Sequence, residues 1–130
     1  MNDAVKAGFG TLIGVELADL GPDEARASIA VAEHHRQPQG VVHGGVYAAL
    51  AETVASAATA AAVRDEGKVA FGMSNNATFL RPITEGRLQA VARPRQRGRT
   101  TWVWDVEISD DAGETCALAR ITIAVRPKRD

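Results

Sequence analysis

Two features of this 130-residue sequence could do chemistry together: a His-Gly-Gly triplet and a single acid that follows it. The triplet is His43-Gly44-Gly45, and Glu52 is the one charged residue in the apolar, alanine-rich segment 46–63. At the start of a helix, free backbone N–H groups and the helix dipole stabilise negative charge, so the triplet could polarise a carbonyl oxygen. A carboxylate beside that carbonyl would serve as a general base or a nucleophile.

Each feature also has a purely structural explanation. The two glycines could form a tight turn while His43 caps the helix. Glu52 could be a buried acid that hydrogen-bonds to a backbone group or to Ser56, one helical turn away. In either case we expect Glu52 to be buried, and a buried carboxylate needs a partner because an unpaired buried charge is costly.

The spacing of the two features has a geometric consequence. Glu52 lies eight residues beyond Gly44, which is about 12 Å along a helix axis at 1.5 Å per residue. One chain would not easily place both groups at one carbonyl. If they act together, we expect the carboxylate to come from a second copy whose helix runs antiparallel, giving two equivalent sites in an obligate two-fold homodimer.

The elements that must position these residues follow from the order of the apolar runs. Segment 46–63 predicts a helix of about five turns that Gly67 ends, and its apolar surface predicts that it is wrapped on most sides. Residues 33–40 predict a loop. Six strands are predicted from β-favouring runs between turn residues, at 11–20, 24–31, 69–80, 88–97, 101–108 and 115–125.

Strands joined by short turns predict an antiparallel sheet, and one apolar helix placed early predicts that a single sheet curls around it. The expected fold class is therefore α+β, with about six antiparallel strands wrapped around one long central helix. The length and the 45% hydrophobic content fit one domain over residues 1–130.

The chain resembles the hotdog-fold acyl-CoA thioesterases. The resemblance rests on the joint spacing of Gln37, His43-Gly44-Gly45, Glu52 and Ser56, followed by Asn76-Ala77-Thr78-Phe79-Leu80-Arg81-Pro82 and Gly86. It covers about the whole plan of strands and helix. A glutamate rather than an aspartate on the helix makes the chain more similar to the Arthrobacter-type 4-hydroxybenzoyl-CoA and the 1,4-dihydroxy-2-naphthoyl-CoA thioesterases than to the phenylacetyl-CoA subgroup.

The resemblance implies a role for each matching residue. Glu52 would attack the thioester carbonyl or activate water, and the Gly44 N–H would polarise that carbonyl. Gln37 and His43 would position the thioester, while Ser56 would orient the water. In this family the glutamate and the glycine come from opposite subunits. The expected reaction is hydrolysis of an aryl- or medium-chain acyl-CoA without a metal or a redox cofactor.

The coenzyme A part of the substrate carries phosphates, which arginine side chains fit well. The resemblance points to Arg81 and to Arg99 and Thr100 in a turn as nucleotide contacts, with the basic tail 126–129 as a further candidate. We also expect Gly45 and Asn76 to contact the substrate.

Other classes of site are disfavoured. The arginines that alternate over 93–99 are either a solvated strand face or phosphate contacts, and a formal net charge of −1 without interleaved exposed aromatics argues against nucleic acid. Adjacent His34 and His35 would point opposite ways on a strand, with no second ligand cluster, so we expect no metal. A Gly-x-Ser-x-Gly elbow is absent, which argues against a Ser-His-Asp hydrolase.

The expected location is the cytoplasm. Cys116 is the one cysteine, so the chain forms no internal disulfide and a reducing compartment is indicated. The first ten residues lack the pattern of a secretory signal. The apolar helix is mostly alanine and holds Glu52 mid-span, so we expect no membrane span. The expected assembly is a homodimer or a dimer of dimers, which is a homotetramer.

Two alternatives to a thioesterase remain on the same fold. A hotdog enoyl-CoA hydratase or dehydratase would need a histidine with an aspartate, where this chain has His43 with Glu52. A non-catalytic acyl-CoA-binding protein would bind coenzyme A esters without turnover. Release of free thiol separates a thioesterase from both.

Overall fold

The structure, a computed structural model, describes residues 8–129. The expectation that the N-terminus lacks a secretory signal falls mainly on residues 1–7, outside the described part of the chain. The helices are α1 (Phe9–Leu12) and α2 (Gly44–Val63), and the strands are β1 (Glu16–Leu20), β2 (Ala25–Ala30), β3 (Lys68–Phe79), β4 (Arg87–Arg97), β5 (Thr101–Ser109) and β6 (Thr115–Pro127). Short 3₁₀ turns cover Glu33–His35 and Arg64–Glu66.

The strands form one six-stranded sheet in the order β1-β2-β4-β5-β6-β3. Every neighbouring pair is antiparallel, and α2 contacts all six strands. The predicted hotdog architecture, an antiparallel sheet wrapped around one long helix, is therefore confirmed. Because β1 and β3 end the sheet, the outer edge of each has no strand beside it within the described chain.

The predicted start of the first strand is wrong. Phe9–Leu12 form a helical turn, in which the Leu12 N–H donates to Gly8 O at 3.0 Å. Gly14 then has φ 83°, a conformation that glycine adopts without strain, and it turns the chain into β1. The 33–40 segment is likewise not all loop, since it begins with a 3₁₀ turn.

Helix α2 begins and ends at recognisable signals. His43 is its N-cap, and the 3₁₀ turn that follows α2 stops at Gly67, which has φ 70°. Residues Gly44–Glu66 are long and apolar enough to cross a bilayer by length and composition, but more than half of their 18-residue apolar stretch is buried inside the protein. In this protein they form a core helix, whose alanines let the sheet approach closely.

One side of α2 stays uncovered although the sheet wraps the rest of the helix, and this corrects the expectation that Glu52 is buried. Glu52 is exposed in the single chain. It lies on a stripe of exposed or half-buried residues, here called the open stripe, that comprises Gly45, Ala48, Ala49, Glu52 and Ser56. The physical reason is that the sheet ends at β3, so no further strand covers this side.

A β-bulge interrupts β3 beside the open stripe. Gly72 pairs with Ile123 of β6, and Ser74 pairs with the next residue back, Thr122, so Met73 is an extra residue. A bulge changes which side chains face the core. Gly72 and Asn75, three positions apart, therefore both face α2.

The core is anchored by the two tryptophans of β5. Both are buried and their rings stack with centroids 5.9 Å apart, so they share one buried sheet face. The Trp104 indole N–H donates to Thr59 Oγ1 of α2 at 2.8 Å, and the Thr59 hydroxyl donates to Ala55 O at 2.8 Å. This chain of hydrogen bonds fixes α2 against the sheet.

Candidate active site

The start of α2 carries the His-Gly-Gly triplet. The Gly45 N–H donates to His43 Nδ1 at 2.8 Å. His43 therefore caps the helix, which was the structural alternative for the triplet. Because Nδ1 accepts a hydrogen bond, the neutral imidazole carries its hydrogen on Nε2. Within residues 8–129 the Gly44 N–H has no acceptor. The helix start thus offers two donors, the Gly44 N–H and His43 Nε2–H, while the Gly45 N–H is already used.

Gly44 is held in place by the ring of Phe79. A Cβ built on Gly44 would lie 2.7 Å from Cζ and 2.8 Å from Cδ2 of that ring. The same ring lies 5.6 Å from the ring of Tyr47. Only glycine fits under Phe79 in this arrangement, so the Phe79 side chain of β3 lies directly against the helix start.

A cavity of about 240 Å³ opens beside Gly44. It brings together three of the predicted site residues, Gln37, Gly44 and Arg81, with Tyr47 and Phe79 also in its wall. Gln37 is held by a tight turn, in which its N–H donates to Val41 O at 2.8 Å and its carbonyl accepts from Gly40 at 2.8 Å. The geometry of this loop therefore supports the predicted grouping of Gln37 with Gly44.

Arg81 is already neutralised within the chain. Its guanidinium forms ion pairs with Asp110 at 3.0 Å and with Glu114. Asp110 also accepts hydrogen bonds from the Glu114 and Ala112 N–H groups. These backbone bonds, first that of Glu114, and Arg81 lower the pKa of Asp110. Arg81 would have to share its charge to contact a substrate phosphate.

Tyr47 lies under this cavity and is buried. Its hydroxyl has no hydrogen-bond partner among the described residues. Burial, which disfavours the phenolate, is the main cause that raises the pKa of Tyr47 to about 12. Tyr47 is therefore a neutral wall of the site at ordinary pH.

Glu52 is bound by a residue that the sequence reasoning missed. Asn75 Nδ2 donates to Glu52 Oε1 at 3.2 Å and to Ala48 O at 2.9 Å. Its neighbour Asn76, predicted as a substrate contact, is in register with Arg120 of β6 and lines an outer cavity with it. No sequence signal distinguishes the two asparagines, because the bulge at Met73 decides which of them faces α2.

Glu52 and the helix start are not brought together in one chain. Gly44 contacts β3 at Phe79, whereas Glu52 contacts it at Gly72 and Asn75. Ser56 lies one helical turn beyond Glu52, on the open stripe. The described chain therefore holds the two groups apart, a helix start with free N–H donors and an exposed carboxylate.

Two of the predicted nucleotide contacts, Arg99 and Thr100, lie beside the basic tail, whereas Arg81 lies at the cavity beside Gly44. Thr100 O accepts a hydrogen bond from Arg126 Nη1 at 2.6 Å, which places the turn of Arg99 and Thr100 beside the basic tail. A cavity of about 740 Å³ lies there, lined by Val69, Phe71, Arg126, Pro127, Lys128 and Arg129. Cationic and apolar groups thus share one concave surface.

The alternating arginines of β4 form ion pairs. Arg93 pairs with Glu24 at 3.0 Å, and Arg97 pairs with Asp23 at 2.7 Å. Arg95 lies 3.5 Å from Asp105. All three arginines are exposed, so the solvated strand face is the reading that the structure supports.

His35 has a structural position. Its Nδ1 accepts from the Ala32 N–H at 2.9 Å, and its Nε2 lies 2.6 Å from Ile13 O. Both ring nitrogens of this buried histidine are used. Within residues 8–129, no group of three His, Cys, Asp or Glu side chains is placed to hold a metal ion.

The sequence and the structure are similar to those of known proteins from one family. The sequence profile of the thioesterase superfamily matches residues 39–117. PA1618 of Pseudomonas aeruginosa is 37% identical over 127 residues, which covers 98% of this chain and 88% of the relative. The crystal structure of a mutant of that protein, described as a thioesterase, superimposes with a TM-score of 0.89 at 36% identity over 95% of this chain and 88% of the other.

Two further solved structures are similar over nearly the whole chain. Thioesterase HI1161 of Haemophilus influenzae superimposes with a TM-score of 0.90 at 35% identity, covering 97% of this chain and 87% of the other. AziG of S. sahachiroi superimposes with a TM-score of 0.88 at 35% identity, covering 94% and 98%.

Proposed function

The chain belongs to the thioesterase superfamily, and on that basis we propose that it hydrolyses an acyl-CoA thioester to a carboxylic acid and free coenzyme A. Glu52 is the nucleophile or general base, and Gly44 polarises the carbonyl. One observation carries this proposal: the Glu52 carboxylate is exposed on the open stripe of a helix that is otherwise apolar. A glutamate that only stabilised the core would not need to be exposed on this stripe.

The helix start provides what the thioester carbonyl needs. Its oxygen would accept a hydrogen bond from the Gly44 N–H, aided by the helix dipole, as negative charge develops on it. His43 Nε2–H and the Gln37 side chain would hold the thioester in place, and Ser56 would orient the water. The coenzyme A thiolate then leaves as the acid forms.

We further propose that each complete site combines two copies of the chain. Support comes from β3, a 12-residue edge strand that exposes Phe71, Met73 and Phe79, with Leu80 just after it. Long apolar edges are normally covered. Pairing two such edges in a homodimer would bring the Glu52 of one copy toward the Gly44 of the other, and two dimers would form the homotetramer.

The substrate class follows from the family resemblance. We propose an aryl- or medium-chain acyl-CoA, as in the Arthrobacter-type 4-hydroxybenzoyl-CoA and the 1,4-dihydroxy-2-naphthoyl-CoA thioesterases. The coenzyme A moiety would be bound near Arg99 and Thr100, with Gly45, Asn76 and Arg81 as further contacts. We place the reaction in the cytoplasm, which suits the free, buried Cys116.

The test is thiol release from a panel of aryl- and fatty acyl-CoA thioesters. Glu52→Ala should abolish turnover, and Gln37→Ala or His43→Ala should each cost on the order of 10²-fold because these residues only position and polarise. Glu66→Ala, which removes an exposed acid paired with Lys68, is the matched control. Absence of thiol release from every substrate, or a near-full rate for Glu52→Ala, contradicts the proposal.

Mixing variants tests the two-copy site. In a dimer reassembled from equal amounts of Glu52→Ala and His43→Ala chains, half the dimers are mixed and one of their two sites is intact. The rate should then recover to about a quarter of wild type per chain. If each chain held its own complete site, the mixture would show no recovery.

A further inference from the structure

The amide of Asn75 joins two parts of α2. Its Nδ2 lies 2.9 Å from Ala48 O and 3.2 Å from Glu52 Oε1. A carbonyl oxygen and a carboxylate oxygen both accept hydrogen bonds, so the atom between them must be the amino nitrogen, with one N–H directed at each. Both donors of the side chain are therefore used at this helix.

The two acceptors belong to the same helical turn. Ala48 lies four residues before Glu52, and in an α-helix the carbonyl of Ala48 also accepts the Glu52 N–H. Asn75 thus ties the Glu52 side chain to the turn from which it projects. A glutamate on an open helix surface would otherwise sample several rotamers.

Gly72 is the second residue of β3 that contacts the Glu52 carboxylate. A Cβ on Gly72 would lie 2.9 Å from Glu52 Oε2 and 3.1 Å from Cδ. The carboxylate therefore occupies space that any other residue at position 72 would fill. Oε1 is bound by Asn75, whereas Oε2 has no hydrogen-bond partner among the described residues.

We propose that Asn75 is a positioning residue that fixes the Glu52 carboxylate with Oε2 as the reacting oxygen. This assignment rests on the proposed thioester hydrolysis. Asn75 acts through Glu52 and does not contact the thioester. Fixed orientation matters because a misplacement of about 1 Å costs on the order of 10²-fold in rate.

The experiment measures thiol release for Asn75→Ala and for the isosteric Asn75→Asp. Both should lower kcat by about 10-fold to 100-fold and leave KM within about twofold, because neither change touches the substrate. Asn75→Asp should lose at least as much, since it cannot donate and it faces a second carboxylate. Gln89→Ala, at an exposed position of β4, is the control and should keep the wild-type rate.

A double-mutant cycle separates positioning from a merely structural role. In Glu52→Asp the carboxylate is one methylene shorter and cannot reach Asn75. Asn75→Ala should then cost less than about threefold in the Glu52→Asp background. An equal loss in both backgrounds, or a wild-type kcat for Asn75→Ala and Asn75→Asp, overturns the assignment.

The outcome for Asn75 is distinguishable from the outcome for the proposed function. If wild type releases thiol and Glu52→Ala does not, the proposed function stands whatever the Asn75 variants do. If wild type releases none from any thioester, the proposed function fails first. Unchanged urea midpoints for the variants would show that their rate losses do not come from unfolding.

Discussion

Replacing Gly44 by alanine should destabilise the protein through Phe79. The new methyl group would lie 2.7 Å from Cζ and 2.8 Å from Cδ2 of the ring, well inside carbon–carbon contact distance. Overpacking of this kind costs about 1–3 kcal/mol. Because Phe79 is 52% exposed and can rotate outward, we expect the lower part of that range, about 1–2 kcal/mol, which includes the lost contact with the ring of Tyr47.

The control is the same substitution without the ring. In a Phe79→Ala background, the three atoms nearest to the new methyl group are gone, and Gly44→Ala should be neutral or stabilise by up to about 1 kcal/mol because alanine favours the helix. The coupling free energy between the two positions should therefore be at least about 1 kcal/mol.

The assay is urea unfolding of wild type, the two single variants and the double variant. All four are measured at one protein concentration, since dimerisation would make stability depend on it. If Gly44→Ala costs the same in both backgrounds, Phe79 does not occupy the space above Gly44, and the close approach of β3 to the helix start is refuted.

Three other changes test separate features. Tyr47→Phe removes a hydroxyl without a partner and should leave stability at pH 7 unchanged or raise it by up to about 1 kcal/mol. The pKa of Tyr47 in the folded protein, about 12, exceeds the usual value. Urea unfolding should therefore show that wild type loses stability relative to this variant as pH rises from 10 to 12. Thr59→Val leaves the Trp104 N–H unpaired and should cost about 1–3 kcal/mol, whereas Thr59→Ser should keep most of the stability. Asp110→Asn should lose stability at pH 6, and its deficit against wild type should shrink as pH falls below 4, because the lowered pKa of Asp110 stabilises the fold only while the carboxylate is ionised.

The sequence predicted the elements well where local signals mark their ends. The four strands after α2 lie within two residues of their predicted bounds, because apolar runs there stop at turn residues such as Gly98 and Gly113. The end of α2 near Gly67 was equally visible, since left-handed backbone favours glycine. These signals involve neighbours in the chain and need no knowledge of the packing.

The site was less predictable because its contacts are long-range. Glu52 sits in an apolar helix, yet its exposure depends on where the sheet ends. The partners of Arg81 lie 29 and 33 positions away, at Asp110 and Glu114, so its neutralisation could not be read from local charge. The contact of Asn75 with Glu52 was missed because strand alternation carries no mark of a bulge.

The bulge in β3 has a consequence for insertions and deletions. It shifts the alternation of side chains along the strand by one residue: Gly72 faces α2 at an even position, and Asn75 and Phe79 face it at odd positions. Deleting one residue between Gly72 and Asn75 would remove the bulge, restore regular alternation along the strand and keep both contacts to Glu52. Deleting one residue between Asn75 and Phe79 would turn the ring away from Gly44. Length variation in this strand is thus tolerated at one point, and that point lies beside the carboxylate.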